Sequence, residues 1–201
     1  MMILRSSPPS PFGRKVKLAA AILGLTNRIQ VETTDTNDPD GSLRKQNPLG
    51  KIPTLVLEDG FCLYDSHVIC EYLDSLHAGA RLIPDGPARW PALRLAALAD
   101  GLMEAALLLV YEKRIRPEAT WNSQWIDMQQ QKIDTGLDHL EESQGPIGAR
   151  PDIGEIGLAC ALGYLDLRHQ GKWRGSHPRL VKWLEDFAAK VPAFETTKVM
   201  A

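Results

Sequence analysis

The sequence predicts two domains, a small α/β domain followed by a helical bundle. The chain has 201 residues, a length that allows one large domain or two small ones. Short β-rich runs alternate with helical patterns up to residues 78–90, and strand signals disappear beyond them. Two glycines and two prolines make that stretch typical of a linker. We therefore assign residues 1–77 to the α/β domain, 78–88 to a linker and 89–201 to an all-α domain.

The first half predicts the order β-α-β-loop-β-β-α. Pro11 favours a helix start, residues 29–33 alternate as a half-buried strand does, and Glu58-Asp59-Gly60 suits a hairpin turn. The predicted strands cover residues 2–4, 29–33, 52–57 and 61–64; the predicted helices run from Ser10 or Pro11 to Gly24 and from Ser66 through Leu76. The polar stretch 35–42 is expected to be a mobile loop. A crossover helix followed by a hairpin predicts a small mixed sheet with helices packed on it.

The second half predicts long helices only. Residues 92–110 form a Leu/Ala-rich helix, and residues 121–143 carry an apolar stripe. Asp152 and Glu155 have the spacing of a capping box, which opens a helix through Leu167. The last helix follows an apolar 4-3-4 spacing over residues 180–191, and Pro192 interrupts it.

Composition excludes several classes of protein. The 23 Lys and Arg nearly balance the 25 Asp and Glu, giving a net charge of −2, so we expect no nucleic-acid or membrane partner. The longest apolar run, residues 105–111, is far shorter than a bilayer span. Three scattered cysteines indicate reduced thiols, and the first residues lack a signal-peptide pattern. We expect a soluble cytoplasmic protein.

Common catalytic motifs are missing from the sequence. It contains no GxxxxGK[ST] phosphate loop, no GxGxxG and no CxxC. His67 and Glu71 share a helical face, but two ligands do not make a zinc site. We therefore expect no metal.

Three segments combine features that suit a peptide-like anionic ligand, and each also has a plainer interpretation. Residues 10–15 (SPFGRK) place a hydroxyl at a helix N-terminus, where Ser10 either meets an anion or only caps the helix. Residues 47–53 (NPLGKIP) contain either a cis Ile52–Pro53 bond or an ordinary edge-strand proline. Residues 64–66 (YDS) precede a helix and either hold charged groups of a ligand or form a plain cap.

Together these segments resemble the cytosolic glutathione S-transferases. The resemblance rests on SPFGRK, NPLGKIPTL, the DS pair before the helix that begins at Ser66, and the all-α second half, and it covers nearly the whole chain. Ser followed by Pro and Phe is similar to the serine-type bacterial branch. Position 10 is not the Cys of the thiol enzymes, which disfavours a thiol-disulfide reductase.

The resemblance implies a thioredoxin-like first domain that binds glutathione as co-substrate. Ser10 would donate a hydrogen bond to the glutathione sulfur, with Ser7 as a weaker rival. Ile52, beside cis-Pro53, would pair its backbone with the cysteinyl unit. Lys51 would hold the glycyl carboxylate. The γ-glutamyl end would lie on Asp65 and Ser66, and Phe12 completes the implied glutathione-binding set.

The implied activity is glutathione transfer to a small hydrophobic electrophile, or peroxide reduction, by a detoxifying homodimer. Candidates for the electrophile pocket are Glu104, Leu108, Tyr111, Glu112 and Arg116, although the same segment fits a bundle stripe or a dimer seam. A non-catalytic binding or regulatory protein of the same fold is the alternative function. Cys70 and Cys160 lie on predicted apolar helix faces and are expected to be inert.

Overall fold

The computed structural model describes residues 1–38, 41–79 and 81–199. The strands are β1 (Met2–Ser6), β2 (Ile29–Thr33), β3 (Thr54–Val56) and β4 (Cys62–Leu63). The α-helices are α1 (Pro11–Ile22), α2 (Leu43–Gln46), α3 (Ser66–Ser75), α4 (Arg89–Ile115), α5 (Ser123–Ser143), α6 (Ile153–His169), α7 (Pro178–Lys190) and α8 (Ala193–Thr196). Short 3-10 turns cover Thr26–Arg28, Gly86–Ala88, Glu118–Thr120 and Lys172–Gly175.

The strands form the predicted mixed sheet in the order β2-β1-β3-β4. β1 runs parallel to β2, with Met2 opposite Ile29, and antiparallel to β3, which is antiparallel to β4. The predicted strand over residues 52–57 is too long, because β3 begins only after Pro53. Proline has no N–H to donate to a neighbouring strand. The thioredoxin-like α/β domain and the helical domain are thus both confirmed.

Three predictions fall partly outside the described residues. They concern the mobile loop over 35–42, which contains Pro39 and Asp40, the linker over 78–88, which contains Ala80, and the last domain, which ends with Met200 and Ala201. Mobility of the loop and the exact domain bounds stay predictions.

Asp74 fixes the segment that joins the two domains. Its buried carboxylate accepts hydrogen bonds from the backbone N–H of Leu82 at 2.6 Å and Ile83 at 3.3 Å, and from Arg81 Nε at 3.0 Å. The carbonyl of Leu82 in turn accepts from the N–H of Ile153 at 2.9 Å. The segment after α3 is therefore bound both to α3 and to the start of α6.

The helical domain confirms the predicted helix signals. Asp152 and Glu155 form a complete capping box, each side chain accepting from the other's backbone N–H at 2.9 Å. α7 ends before Pro192, and the short α8 follows. α4 extends beyond the predicted 92–110 at both ends. In the described part of the chain, every helix falls short of the length and apolarity that a membrane crossing requires.

Lys15 joins the two domains through a buried ion pair. Its side chain is completely buried on α1, and Nζ donates to both carboxylate oxygens of Asp100 on α4, at 2.6 and 2.8 Å. A buried ammonium group is tolerated only when it is paired and hydrogen-bonded. This pair therefore fixes the position of α1 relative to the helical domain.

Replacing Lys15 with Met should lower the free energy of unfolding by about 2 to 3 kcal/mol, because Asp100 would lose its cation. This loss of stability is smaller than the loss expected when both partners of an ion pair are fully buried, because the Asp100 side chain keeps 23% of its surface in water. Urea unfolding measures the change. The double variant Lys15→Met/Asp100→Leu should recover more than half of it, and a double variant as unstable as the single one would contradict this account.

Glycines on α6 allow close packing against α4. A Cβ at Gly154 would lie 2.6 Å from the carbonyl oxygen of Ala92 and 2.7 Å from Leu95 Cβ. A Cβ at Gly157 would lie 3.2 Å from Ala99 Cβ. Since Gly154 would meet backbone, which cannot move aside cheaply, the two helices approach closely only because this position has no side chain.

Gly154→Ala should therefore destabilise the protein by about 1 to 3 kcal/mol through overpacking. The matched control is Gly101→Ala on α4, where a Cβ would meet no described atom within 4 Å. That control should be neutral or stabilising by up to about 1 kcal/mol, because Ala is the better helix former. Denaturant unfolding of both variants measures the difference, and equal effects would contradict the packing argument.

Candidate functional site

Ser10 caps α1 and sits at the domain boundary. Its Oγ accepts a hydrogen bond from the N–H of Gly13 at 3.0 Å, and Pro11 occupies the first helical position. Ser10 therefore caps α1 in the structure. Capping uses an oxygen lone pair, however, and leaves the hydroxyl hydrogen for another acceptor. A Cβ on Gly13 would overlap the hydroxyl of Ser6, so glycine lets this turn approach the end of β1.

Residues 47–53 form a tight turn that exposes the backbone of Ile52. The Asn47 side chain donates to the carbonyl of Lys51 at 3.0 Å and to Thr54 Oγ1 at 3.2 Å. The Ile52–Pro53 bond is cis, as the first of the two interpretations predicts. Within the described part of the chain, the N–H and C=O of Ile52 have no hydrogen-bond partner. Both are free for an extended peptide ligand.

Asp65 caps α3 next to these groups. Its Oδ1 accepts from the N–H of His67 at 2.9 Å, and Ser66 directly follows as a buried residue. The peptide bond between Tyr64 and Asp65 is also cis. Asp65 therefore caps α3, while its second carboxylate oxygen accepts no hydrogen bond from the described residues.

Two adjoining clefts separate the α/β domain from α4. The larger cleft, of about 500 Å³, brings together six of the seven predicted site residues and the wall of α4. Those six are Phe12, Lys51, Ile52, Pro53, Asp65 and Ser66. Ser10 and its rival Ser7 line the smaller cleft, of about 230 Å³. Phe12, Ile52 and Tyr111 border both clefts, which makes them one continuous depression.

Only part of the predicted electrophile wall faces this depression. Glu104, Leu108 and Tyr111 line the larger cleft. Glu112 and Arg116 do not line either cleft, because buried Glu112 accepts from the N–H of Asn122 at 3.0 Å and pairs with Arg116 at 3.4 Å.

The smaller cleft also contains residues that the sequence analysis missed, namely Arg114 on α4 and Tyr164 and Arg168 on α6. Arg114 lies one helical turn beyond Tyr111, and Tyr164 and Arg168 are four residues apart. Helical spacing places each pair on one face, but it does not reveal which face meets the cleft.

Burial raises the pKa of a phenol that lines the smaller cleft and of two thiols in the core. Burial raises the pKa of Tyr164 to about 12. The nearby Tyr111 adds to this increase, and the positive charge of Arg168 opposes it. Burial likewise raises the pKa of Cys70 and of Cys160 to about 12. Tyr164 is therefore a neutral hydroxyl at pH 7, and the two thiols are unreactive, as predicted. The described residues contain no group of three or more His, Cys, Asp or Glu side chains suited to a metal ion.

Comparison with known proteins agrees with this architecture. Residues 9–76 match the family model for the N-terminal domain of glutathione S-transferase, and residues 123–186 match the model for its C-terminal domain. The chain is 34% identical to the uncharacterized GST-like protein YibF of Escherichia coli over 194 residues, which cover 94% of this chain and 95% of that one.

Two solved structures extend the comparison. A glutathione transferase family member from Pseudomonas fluorescens Pf-5 with bound glutathione is 42% identical, covers 100% of both chains and superposes with a TM-score of 0.94. A glutathione S-transferase from Methylobacillus flagellatus KT with glutathione bound is 36% identical, again over 100% of both chains, with a TM-score of 0.91. Matched in both domains and over nearly its full length, this chain belongs to the glutathione S-transferase family.

Proposed function

We propose that this chain is a glutathione transferase of the serine type that ionises the thiol of glutathione at Ser10. The observation that carries the proposal is the convergence of three separate chain segments on one continuous depression, with the Ser10 hydroxyl at its smaller end. Solved relatives with glutathione bound support the choice of ligand.

Each implied contact other than that of Ser10 has a suitable group in the larger cleft. The free N–H and C=O of Ile52 suit the cysteinyl backbone of glutathione. Asp65 and the amide end of α3 suit the ammonium and carboxylate of the γ-glutamyl end, with Ser66 beside them. Lys51 lines the same cleft and suits the glycyl carboxylate.

The energy that thiol activation requires is modest. A cysteine thiol has a pKa near 8.5, and lowering it by about two units takes about 2.7 kcal/mol of preferential thiolate stabilisation. A hydrogen bond from the Ser10 hydroxyl to the sulfur, in the field of the α1 N-terminus, supplies that amount. No protein thiol is needed for this step.

In the reaction, the thiolate attacks the electrophilic carbon. The carbon–sulfur bond forms, the bond to the leaving group breaks, and that group departs with its electron pair; the thiol proton passes to solvent. With a peroxide, two glutathione molecules are oxidised to the disulfide, and the peroxide is reduced to an alcohol and water. A small apolar electrophile is the substrate that the family resemblance implies.

We further propose a cytoplasmic homodimer with a detoxifying role. Exposed apolar side chains on the α/β domain and on α4, among them Phe61, Val68 and Trp90, favour an interface between copies. Analytical ultracentrifugation tests the dimer, and a monomer across the micromolar range would contradict it.

Ser10→Ala should keep glutathione affinity within about threefold, while the pKa of the bound thiol rises by about one to two units. At pH 7 kcat/KM should fall about 10- to 100-fold, and the deficit should shrink above the solution pKa of the thiol, where glutathione ionises unaided. Thiolate absorbance near 240 nm across pH measures the shift.

Ser7→Ala is the matched control, and Ser10→Thr should restore part of the shift because it keeps a hydroxyl. An unchanged thiol pKa in Ser10→Ala with a raised one in Ser7→Ala would move the role to Ser7. Glutathione binding without any shift in the wild type would remove the transferase mechanism. No binding at all would favour the non-catalytic alternative.

A further inference from the structure

The smaller cleft carries two arginines that have no acidic partner. Arg114 comes from α4 and Arg168 from α6, and neither forms an ion pair within the described part of the chain. Other arginines near the same helix ends are paired, such as Arg116 with Glu112 and Arg174 with Asp166 at 2.6 Å. Arginine side chains that line one depression without an acidic partner are suited to binding an anion.

Two phenol side chains line the same cleft as these cations. Tyr164 is 4% exposed and lines the smaller cleft together with Arg168. A phenol hydroxyl can donate one hydrogen bond to a ligand, and its oxygen can accept another from a guanidinium group. Tyr111 adds a second phenol between the two clefts.

One acidic side chain lines the same cleft. Asp35 uses its Oδ1 to accept from the backbone N–H of Asn37 at 2.9 Å and from Asn37 Nδ2 at 3.0 Å. The lining charges among the described residues are therefore two positive and one negative, and one oxygen of the negative group accepts both hydrogen bonds within its own turn. Ser7, Ser10, Thr34 and Thr36 complete the polar lining without charge.

We propose that the electrophile this enzyme takes carries a carboxylate, which Arg114 and Arg168 bind while the reacting carbon faces the glutathione sulfur. The inference rests on the proposed glutathione transferase function and replaces its apolar electrophile with an anionic one. With an arylmethyl chloride as substrate, the carbon–sulfur bond forms, the carbon–chlorine bond breaks and chloride leaves with the electron pair. The carboxylate takes no part in the bond changes.

Product conjugates test the charge preference without depending on turnover. Calorimetry would compare S-(carboxymethyl)glutathione with S-(carbamoylmethyl)glutathione, and S-(4-carboxybenzyl)glutathione with S-(4-carbamoylbenzyl)glutathione. The members of each pair share size and shape and differ in charge. At least one carboxylate conjugate should bind about five- to tenfold more tightly than its amide, the range expected for partly exposed ion pairs.

Variants assign the preference to the two arginines. Arg114→Gln and Arg168→Gln should each reduce the carboxylate preference at least threefold, and Arg168→Lys should retain part of it. Arg94→Gln is the matched control, because Arg94 is exposed on α4, lines neither cleft and has no partner among the described residues. It should leave the preference unchanged.

Kinetics with 4-(chloromethyl)benzoate and 4-(chloromethyl)benzamide, each divided by its uncatalysed rate with glutathione, should show the same preference. Equal affinity within both conjugate pairs, while free glutathione binds normally, would overturn the anionic electrophile and leave the proposed function standing. If the preference for the carboxylate conjugate is unchanged in both Arg114→Gln and Arg168→Gln, the assignment of the carboxylate site to these two arginines would also be overturned. If neither glutathione nor any conjugate binds, the proposed function itself fails.

Discussion

The buried ion pair between Lys15 and Asp100 determines how the two domains meet. Lys15 lies on α1, five residues after Ser10, which caps this helix, and its ammonium group has no access to water. A buried positive charge is stable only when a carboxylate forms an ion pair with it. The helical domain supplies that carboxylate from the middle of α4, the helix that also lines both clefts. The depression between the domains therefore depends on this contact.

A second contact joins α1 to residues 194–197. The guanidinium group of Arg14 donates to the carbonyl of Phe194 at 2.5 Å and to Thr197 Oγ1 at 3.3 Å, and it lies 4.0 Å from the centre of the Phe194 ring. Desolvation lowers the pKa of Arg14, yet an arginine remains charged in proteins. Gly163 on α6 makes room for this group, since a Cβ there would lie 2.5 Å from Nη1. The first turn of α1, which presents Ser10, is thus held on two sides.

The two domains contribute different kinds of group to the site. The α/β domain offers backbone amides and carbonyls at a proline turn and at two helix N-termini, which suit the peptide portion of a ligand. The helical domain offers side chains on α4 and α6, including the cations Arg114 and Arg168. Under the proposed function, glutathione binding and selection of the electrophile can therefore vary independently, because they depend on different parts of the chain.

The sequence by itself determined the order of the main elements and the capping box of α6. It also identified the segments around Ser10, Ile52 and Asp65. Caps, turns and proline positions depend on residues that are neighbours in the chain, so the sequence alone shows them. It did not reveal α2, which is four residues long and carries too little periodicity to be recognised. The sequence also did not show that Tyr111 faces the cleft whereas its neighbour Glu112 points into the helical bundle. Helical spacing tells which residues share a face, but only the packing of α4 and α6 against the first domain decides which face meets the ligand.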